Sequence, residues 1–297
     1  MRLKTSKKQL VIFLILISGT LFLTLASRIY AEVDYRHSNP PVTTCSKKPI
    51  KNPDTGLVSH WSFDEIYDDK VEDHSGNKNT GKFGSSINRH FIRKMIKSYF
   101  DINYIFGTHE IVDGVVGKAI KINGRQWISG GNIAAYNTNK FTVAAWVWRD
   151  HDMYSVPTIM AKGSWPYFDG WWLTTKPEER GIDMGIAWGT SFEHIESGYE
   201  LPLKEWHHIA VTMNNEDHEI LFFIDGIPYG EKHENVHEWL VNWNHELFVG
   251  DYDGSGRWPW DGKLDEVRYY NRILSDDEIF NVFVNEEGHL LSVNTND

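Results

Sequence analysis

From Gly56 onward, short runs of aromatic and β-branched residues alternate with Gly, Asn and Asp turns. Each run sends every second side chain to one face, the pattern of an all-β sandwich or barrel. The clearest predicted strands are 57–63, 118–122, 141–149, 158–162, 171–175, 182–188, 207–213, 219–224, 246–250 and 264–270. Asp225-Gly226, between "EILFFI" and "IPYGE", is a type I′ hairpin signal, because both central residues of that turn need positive φ. Together with the preceding "WHHIAVTM" it predicts three successive antiparallel strands. Ser275-Asp276-Asp277-Glu278 reads as a capping box that opens a short helix through about Phe283. The segment 87–100, "INRHFIRKMIKSYF", breaks the β rhythm. Phe91, Ile92, Met95, Ile96 and Tyr99 share one helical face and Arg89, Arg93, Lys94 and Lys97 lie elsewhere, which predicts an inserted amphipathic helix. Such a helix serves either as packing on the sandwich or as a basic contact surface for a partner or membrane lipid.

The start of the chain has a different character. Arg2, Lys4, Lys7 and Lys8 precede an uncharged, mostly apolar run at 10–26, so residues 1–31 read as an export signal, with Ala26 or Ala31 as cleavage sites, or as an uncleaved membrane anchor. In either case the basic end stays inside and the remainder is exported, extracellular, periplasmic or at the cell surface. Residues 32–55 contain Pro40, Pro41, Pro49 and Pro53 and read as a tether. A β domain at 56–285, with an insertion at about 85–110, and a tail at 286–297 complete the expected organisation.

Composition narrows the chemistry. Cys45 is the single cysteine, so no internal disulfide supports the exported part. A net charge of -11 argues against a nucleic-acid partner. One motif points toward catalysis: His233-Glu234-Asn235-Val236-His237 matches H-E-x-x-H, which on a helix aims two imidazoles at one zinc ion. It lies one strand length beyond the Asp225-Gly226 turn, where extended backbone would hold the two histidines about 13 Å apart at about 3.3 Å per residue. Leu240 and Trp243 also occupy the positions of the Gly and third His in the longer form of the motif. Zinc proteolysis is therefore not expected.

The ordered boxes "GLVSHWSFDE", "DHSGNKNTG", "GVVGKAIKING", "FTVAAWVWRD", "EWHHIAVTM", "FFIDGIPYG" and "GKLDEVRYYNRILSDDEI" resemble the laminin-G-like family of the concanavalin A-like lectin/glucanase superfamily, over about 56–283. The insertion at 85–110 departs from that pattern. The resemblance implies a jelly-roll sandwich of two antiparallel sheets, commonly with Ca²⁺, and adhesion or carbohydrate recognition more often than catalysis. It further implies that Asp265, in the closing strand, holds a structural Ca²⁺ beside Asp64 and Asp73, with carbonyls such as that of Gly76 completing an oxygen shell. The alternative is that these carboxylates merely organise turns.

The superfamily includes glycoside hydrolases, which need two carboxylates at close quarters. No E-x-D-x-x-E run occurs in the predicted strands, and Asp265 and Glu266 are adjacent, hence on opposite faces unless a bulge intervenes. Carboxylates from separate strands remain a hydrolase alternative. The 13 tryptophans are a further feature, and two clusters fall in predicted loops: "SWPYFDGWW" at 164–172 and "DYDGSGRWPW" at 251–260. Flat rings beside Asp, Gly and Arg suit stacking on sugar rings and hydrogen bonding to hydroxyls. Trp165, Trp171, Trp172, Tyr252, Asp253, Trp258 and Trp260 are therefore the candidate carbohydrate contacts, with a glycan or cell-surface protein as partner. A structural adhesion module without a sugar site is the remaining alternative.

Overall fold

The computed structural model describes residues 54–85, 109–152, 156–164, 169–176, 181–238 and 244–293. In chain order the strands are β1 (Leu57–Trp61), β2 (Ile66–Tyr67), β3 (Lys70–Val71), β4 (Gly81–Ser85), β5 (Glu110–Asp113), β6 (Lys118–Asn123), β7 (Gln126–Gly131), β8 (Lys140–Arg149) and β9 (Thr158–Ser164). There follow β10 (Asp169–Thr175), β11 (Gly181–Trp188), β12 (Ser191–Glu200), β13 (Trp206–Asn214), β14 (Glu219–Ile224), β15 (Ile227–His233), β16 (Leu247–Val249), β17 (Asp261–Tyr270) and the helix α1 (Asp276–Val293). Eight strands form one sheet in the order β15-β14-β13-β8-β17-β6-β5, with β1 paired to β17. Nine form the other in the order β12-β11-β10-β9-β16-β7-β4-β3-β2.

Period-two alternation explains how the sheets close on each other. Val143, Ala145 and Val147 of β8 and Ile209, Val211 and Met213 of β13 share one buried cluster with Trp171 and Leu173 of β10 and Ile182, Met184 and Ile186 of β11. The expected β-sandwich is thus observed. Asp225 and Gly226 both have positive φ, at 49° and 76°, and β14 pairs with β15 across them. Strand β1 stops at Trp61, short of the expected Phe63, because Phe63 itself sits at φ 65°. The predicted helix at 87–100, the apolar run at 10–26 and residues 32–53 of the tether lie outside the described residues. Among the described residues no helix is long and apolar enough to cross a membrane.

The capping box is in place. The Ser275 N–H donates to Glu278 Oε2 at 2.9 Å and the Glu278 N–H donates to Ser275 Oγ at 3.3 Å. Arg272 donates to both Glu278 oxygens, at 2.8 and 2.9 Å. The helix this starts is longer than expected and runs through Val293, so the boundary at 285 falls inside it. Ile279 and Val282 pack with Leu274 on Leu57, Ala144, Ala210, Phe223 and Tyr270, covering part of the outer side of the eight-stranded sheet. Burial alone would raise the Glu278 carboxyl, but the Arg272 guanidinium and the Ser275 donors hold it below its ordinary value of 4.5. A depressed carboxylate stabilises the fold above its unfolded pKa and loses that contribution as pH falls. Glu278→Ala is expected to lower stability by about 1 to 2 kcal/mol at neutral pH. In thermal melts from pH 7 to 3, the gap between wild type and variant should narrow below pH 4.5.

Candidate ligand-binding face

The H-E-x-x-H segment forms no helix. His233 ends β15, and residues 234–238 are irregular, with Asn235 at φ 63°. Val236 is buried in the core, and its N–H donates to the His218 carbonyl at 3.1 Å. His237 instead stacks on Trp188, centroids 4.1 Å apart, and its Nδ1 pairs with Glu193 at 2.9 Å. This backbone is not the helix on which the motif aims both imidazoles at one zinc ion.

The three carboxylates expected to share Ca²⁺ each accept backbone N–H groups of the chain itself. Asp73 Oδ1 accepts the N–H groups of His60 and Ser75, both at 2.9 Å, and its Oδ2 accepts the Asn79 N–H at 2.7 Å. Asp64 Oδ1 accepts the Lys118 N–H at 2.7 Å. Asp265 Oδ2 accepts from Val115 and Val116, at 2.8 and 3.1 Å, and its Oδ1 accepts the Glu266 N–H at 2.8 Å. A Cβ at Gly114 would overlap the Asp265 carboxylate, and one at Gly117 would overlap that of Asp64. The "GVVG" turn is thus moulded onto two carboxylates. Among the described residues no three His, Cys, Asp or Glu side chains gather as a metal site. The backbone N–H groups that these carboxylates accept give them a part in organising their turns.

Asp265 and Glu266 do not simply alternate across the strand. A bulge lies between Asp265 and Arg268, and Glu266 takes φ 49°. The bulge brings Glu266 Oε2 within 2.6 Å of His60 Nε2 and 2.5 Å of Arg268. Burial pushes Asp265 up to about 8. Burial opposes ionisation of Glu266 as well, but His60 and Arg268 pull it down to about 2. Such a split resembles an acid and base pair. Both residues are nevertheless buried, at 0% and 3% exposure, where no substrate reaches them.

The aromatic candidates divide by the parity of the strands. Trp171 and Trp260, at 1% and 0% exposure, belong to the central core, so no ligand reaches their ring faces. Trp165 lies outside the described residues. Trp172, one residue on from Trp171, faces the outer side of the nine-stranded sheet and lies over Gly185, where a Cβ would overlap the indole. Tyr252 meets it edge to face at 5.4 Å, and Trp258 meets Tyr252 at 4.9 Å. The two clusters, separate in sequence, are joined here.

The loop at 251–258 is set by one carboxylate. Asp251, fully buried, accepts the Tyr252 and Trp258 N–H groups through Oδ1, at 2.8 and 3.3 Å, and that of Gly256 through Oδ2 at 2.7 Å. Burial raises its pKa while these donors work against the rise. Gly250, Gly254 and Gly256 take positive φ between 74° and 82°, which allows so tight a wrap. The Trp258 carbonyl accepts the Thr158 N–H at 3.0 Å, tying the loop to β9. Asp253 is partly exposed and accepts the Ser255 N–H at 3.1 Å, and Arg257 approaches the Trp258 ring at 5.9 Å.

Phe192 and His194 of β12 complete this face and were not anticipated. Phe192 is 50% exposed and lies 6.5 Å from the Trp172 ring. His194 packs edge-on to Trp172 at 5.6 Å, and its Nδ1 lies 2.5 Å from the buried Asp183, whose hydrogen bond raises the imidazole pKa. The strand "SFEHIESGYE" is too polar for the hydrophobic pattern to flag. Its signal was the alternation of Phe192, His194 and Glu196 against Ile195.

Comparisons with known proteins agree with this architecture. A family profile described as Laminin_G_3, of the concanavalin A-like lectin/glucanases superfamily, matches residues 123–280. Domain 4 of AbnA, a GH43 extracellular arabinanase from Geobacillus stearothermophilus, in complex with arabinotriose, is similar at TM-score 0.59 and 19% identity, over 76% of this chain and 97% of that one. The binding domain of Paraclostridial Mosquitocidal Protein 1 is similar at TM-score 0.57 and 16% identity, over 79% of this chain and 53% of that one. The binding domain of Botulinum neurotoxin DC, in complex with rat synaptotagmin II, gives TM-score 0.55 and 10% identity, over 79% and 52%. The chain thus spans about half the length of these two toxin domains. No curated protein matches significantly by sequence.

Removing the Asp265 carboxylate leaves three backbone donors without an acceptor. Asp265→Ala is expected to cost about 3 kcal/mol of stability. Melting curves of the wild type should coincide in Ca²⁺ and in EGTA. A rise with Ca²⁺ in the wild type, absent from the variant, would restore a metal role to this residue.

Proposed function

The chain belongs to the Laminin_G_3 family of the concanavalin A-like lectin/glucanase superfamily, and on that footing we propose that it is the glycan-binding module of an exported or membrane-tethered protein. The contact surface is the outer side of the nine-stranded sheet, where Phe192 and Trp258 are the reachable rings. The observation that carries this reading is the gathering of Trp172, Phe192, Tyr252 and Trp258 on a sheet face outside the main core, with Phe192 half exposed. Apolar side chains gathered into one exposed patch, unlike singly scattered ones, mark a surface that meets a partner.

The chemistry around the rings suits a sugar. The C–H face of a pyranose covers an aromatic ring, and Asp253, Arg257 and His194 supply an acceptor and donors for hydroxyl groups. Trp172 and Tyr252, at 8% and 2% exposure, serve as the packed base that keeps the outer rings in place. The AbnA domain, which shares the fold, is described with arabinotriose bound. That ligand chemistry supports a glycan for this chain. Hydrolysis finds less support, since the buried Asp265 and Glu266 are committed to the bulge and to His60 and Arg268.

Binding to a panel of immobilised oligosaccharides tests the reading. The wild type is expected to retain at least one of them, and Phe192→Ala and Trp258→Ala should each weaken that binding about tenfold, equivalent to about 1.4 kcal/mol. Circular dichroism should be unchanged for Phe192→Ala, because its ring is exposed. Equal retention by wild type and both variants would remove this face from the site, and binding to protein surfaces alone would favour adhesion.

A further inference from the structure

The aromatic patch occupies only one end of its sheet face. A single row of paired residues crosses seven strands: Lys82 with Ser129, Ser129 with Phe248, Phe248 with Ala161, Ala161 with Trp172, Trp172 with Gly185, and Gly185 with His194. Six strand spacings make this row about 29 Å long, several sugar units in extent. The loop held by Asp251 crosses the middle of the row, with Gly254 against Phe248 and near Trp127. On the far side of that loop the surface opens into a cleft of about 530 Å³, within the size range of small-ligand sites.

The cleft differs in chemistry from the aromatic patch. Lys78 and Lys82 line one wall, both exposed, and neither has an ion-pair partner among the described residues. In a chain of net charge -11, two cations at one cleft are a local reversal of sign. Trp127 lies across Gly84, where a Cβ would overlap the indole, and it lines the cleft as well. Ser129 Oγ donates to Glu246 Oε2 at 2.6 Å, which sets a hydroxyl and a carboxylate at the mouth as partners for sugar hydroxyls. Two ammonium groups against one carboxylate leave the cleft net positive.

We propose that this cleft is a second subsite, which takes an anionic sugar unit, a uronate or a sulfated residue, of the same glycan whose neighbouring units rest on the Phe192 and Trp258 end. The proposal rests on the glycan reading above and specifies the ligand class within it. Lys78 and Lys82 pair with the anionic group as mobile point charges, which does not require a fixed bidentate geometry. Glu246 and Ser129 receive hydroxyl groups of the same ring. The paired contacts at both ends would favour a chain of several units over a monosaccharide, because the second contact becomes intramolecular once the first is made.

Titration calorimetry with three length-matched oligosaccharides, one neutral, one bearing uronate and one sulfated, tests this at 50 and 300 mM NaCl. The wild type is expected to bind at least one anionic ligand about tenfold more tightly than the neutral one at low salt, with the preference shrinking at high salt. Lys82→Glu should abolish the preference while its melting temperature stays unchanged. The uronate and sulfate arms identify which anion is read. Equal binding of neutral and anionic ligands by the wild type, or an unaltered preference in Lys82→Glu, would overturn the subsite while leaving the glycan reading intact. Binding of none of the three would overturn both.

Discussion

Buried carboxylates that satisfy backbone N–H groups hold this domain's loops in place. A backbone donor withdrawn from water without an acceptor costs more than most single contacts contribute, so a loop folded over a sheet needs an internal acceptor. Asp73, Asp251 and Asp265 provide it at three places, and each accepts at least three hydrogen bonds from backbone N–H groups. The chain has a single cysteine and no disulfide alternative. Asp251 matters most for the proposed site, because the loop it gathers carries Tyr252 and Trp258 onto the face where Trp172 lies.

Strand parity then decides which aromatic rings are free to act. Trp171 and Trp172 are neighbours in sequence, yet the first fills the core with Phe141 and Tyr269 and the second stands on the outer face. Gly185 makes that placement possible by leaving room for the indole. The outer side of the eight-stranded sheet is treated differently, since α1 covers part of it and Lys263 lies 3.8 Å over the Trp148 ring nearby. The two sheets therefore divide the labour: one is partly closed by the C-terminal helix, and the other presents rings and a polar cleft along one row.

Much of the scaffold is readable in the chain because alternation is a strong signal where strands are buried. The runs around Val143, Ile209 and Leu264, the Asp225-Gly226 hairpin and the Ser275 capping box all lie where local pattern and tertiary packing agree. Strands β4, β7 and β12 escape because Gly84, Gly130 and Gly131 or the charges around His194 dilute the apolar pattern. The site is less readable. Trp171 opens a predicted strand whose register turns it inward, and Trp260 looks like a loop residue until its backbone bonds to Gly124 and Gly250 hold it in the core. Asp64, Asp73 and Asp265 have the composition of a calcium site, but their partners are backbone groups that no side-chain motif reveals. Lys82 and Ser129 meet only through strand pairing, at a separation in sequence that no local motif spans.

The central claim is that the outer side of the nine-stranded sheet, and not the other surfaces of the domain, meets the glycan. Each of the 13 tryptophans carries one indole N–H, a separate reporter in a two-dimensional nitrogen–proton spectrum. Titration with an oligosaccharide that binds should shift the indole signals of Trp258, Trp172 and Trp127 together, while Trp148 and Trp206 on the eight-stranded sheet stay in place. Shifts confined to Trp148 and Trp206, with those three unmoved, would contradict the account.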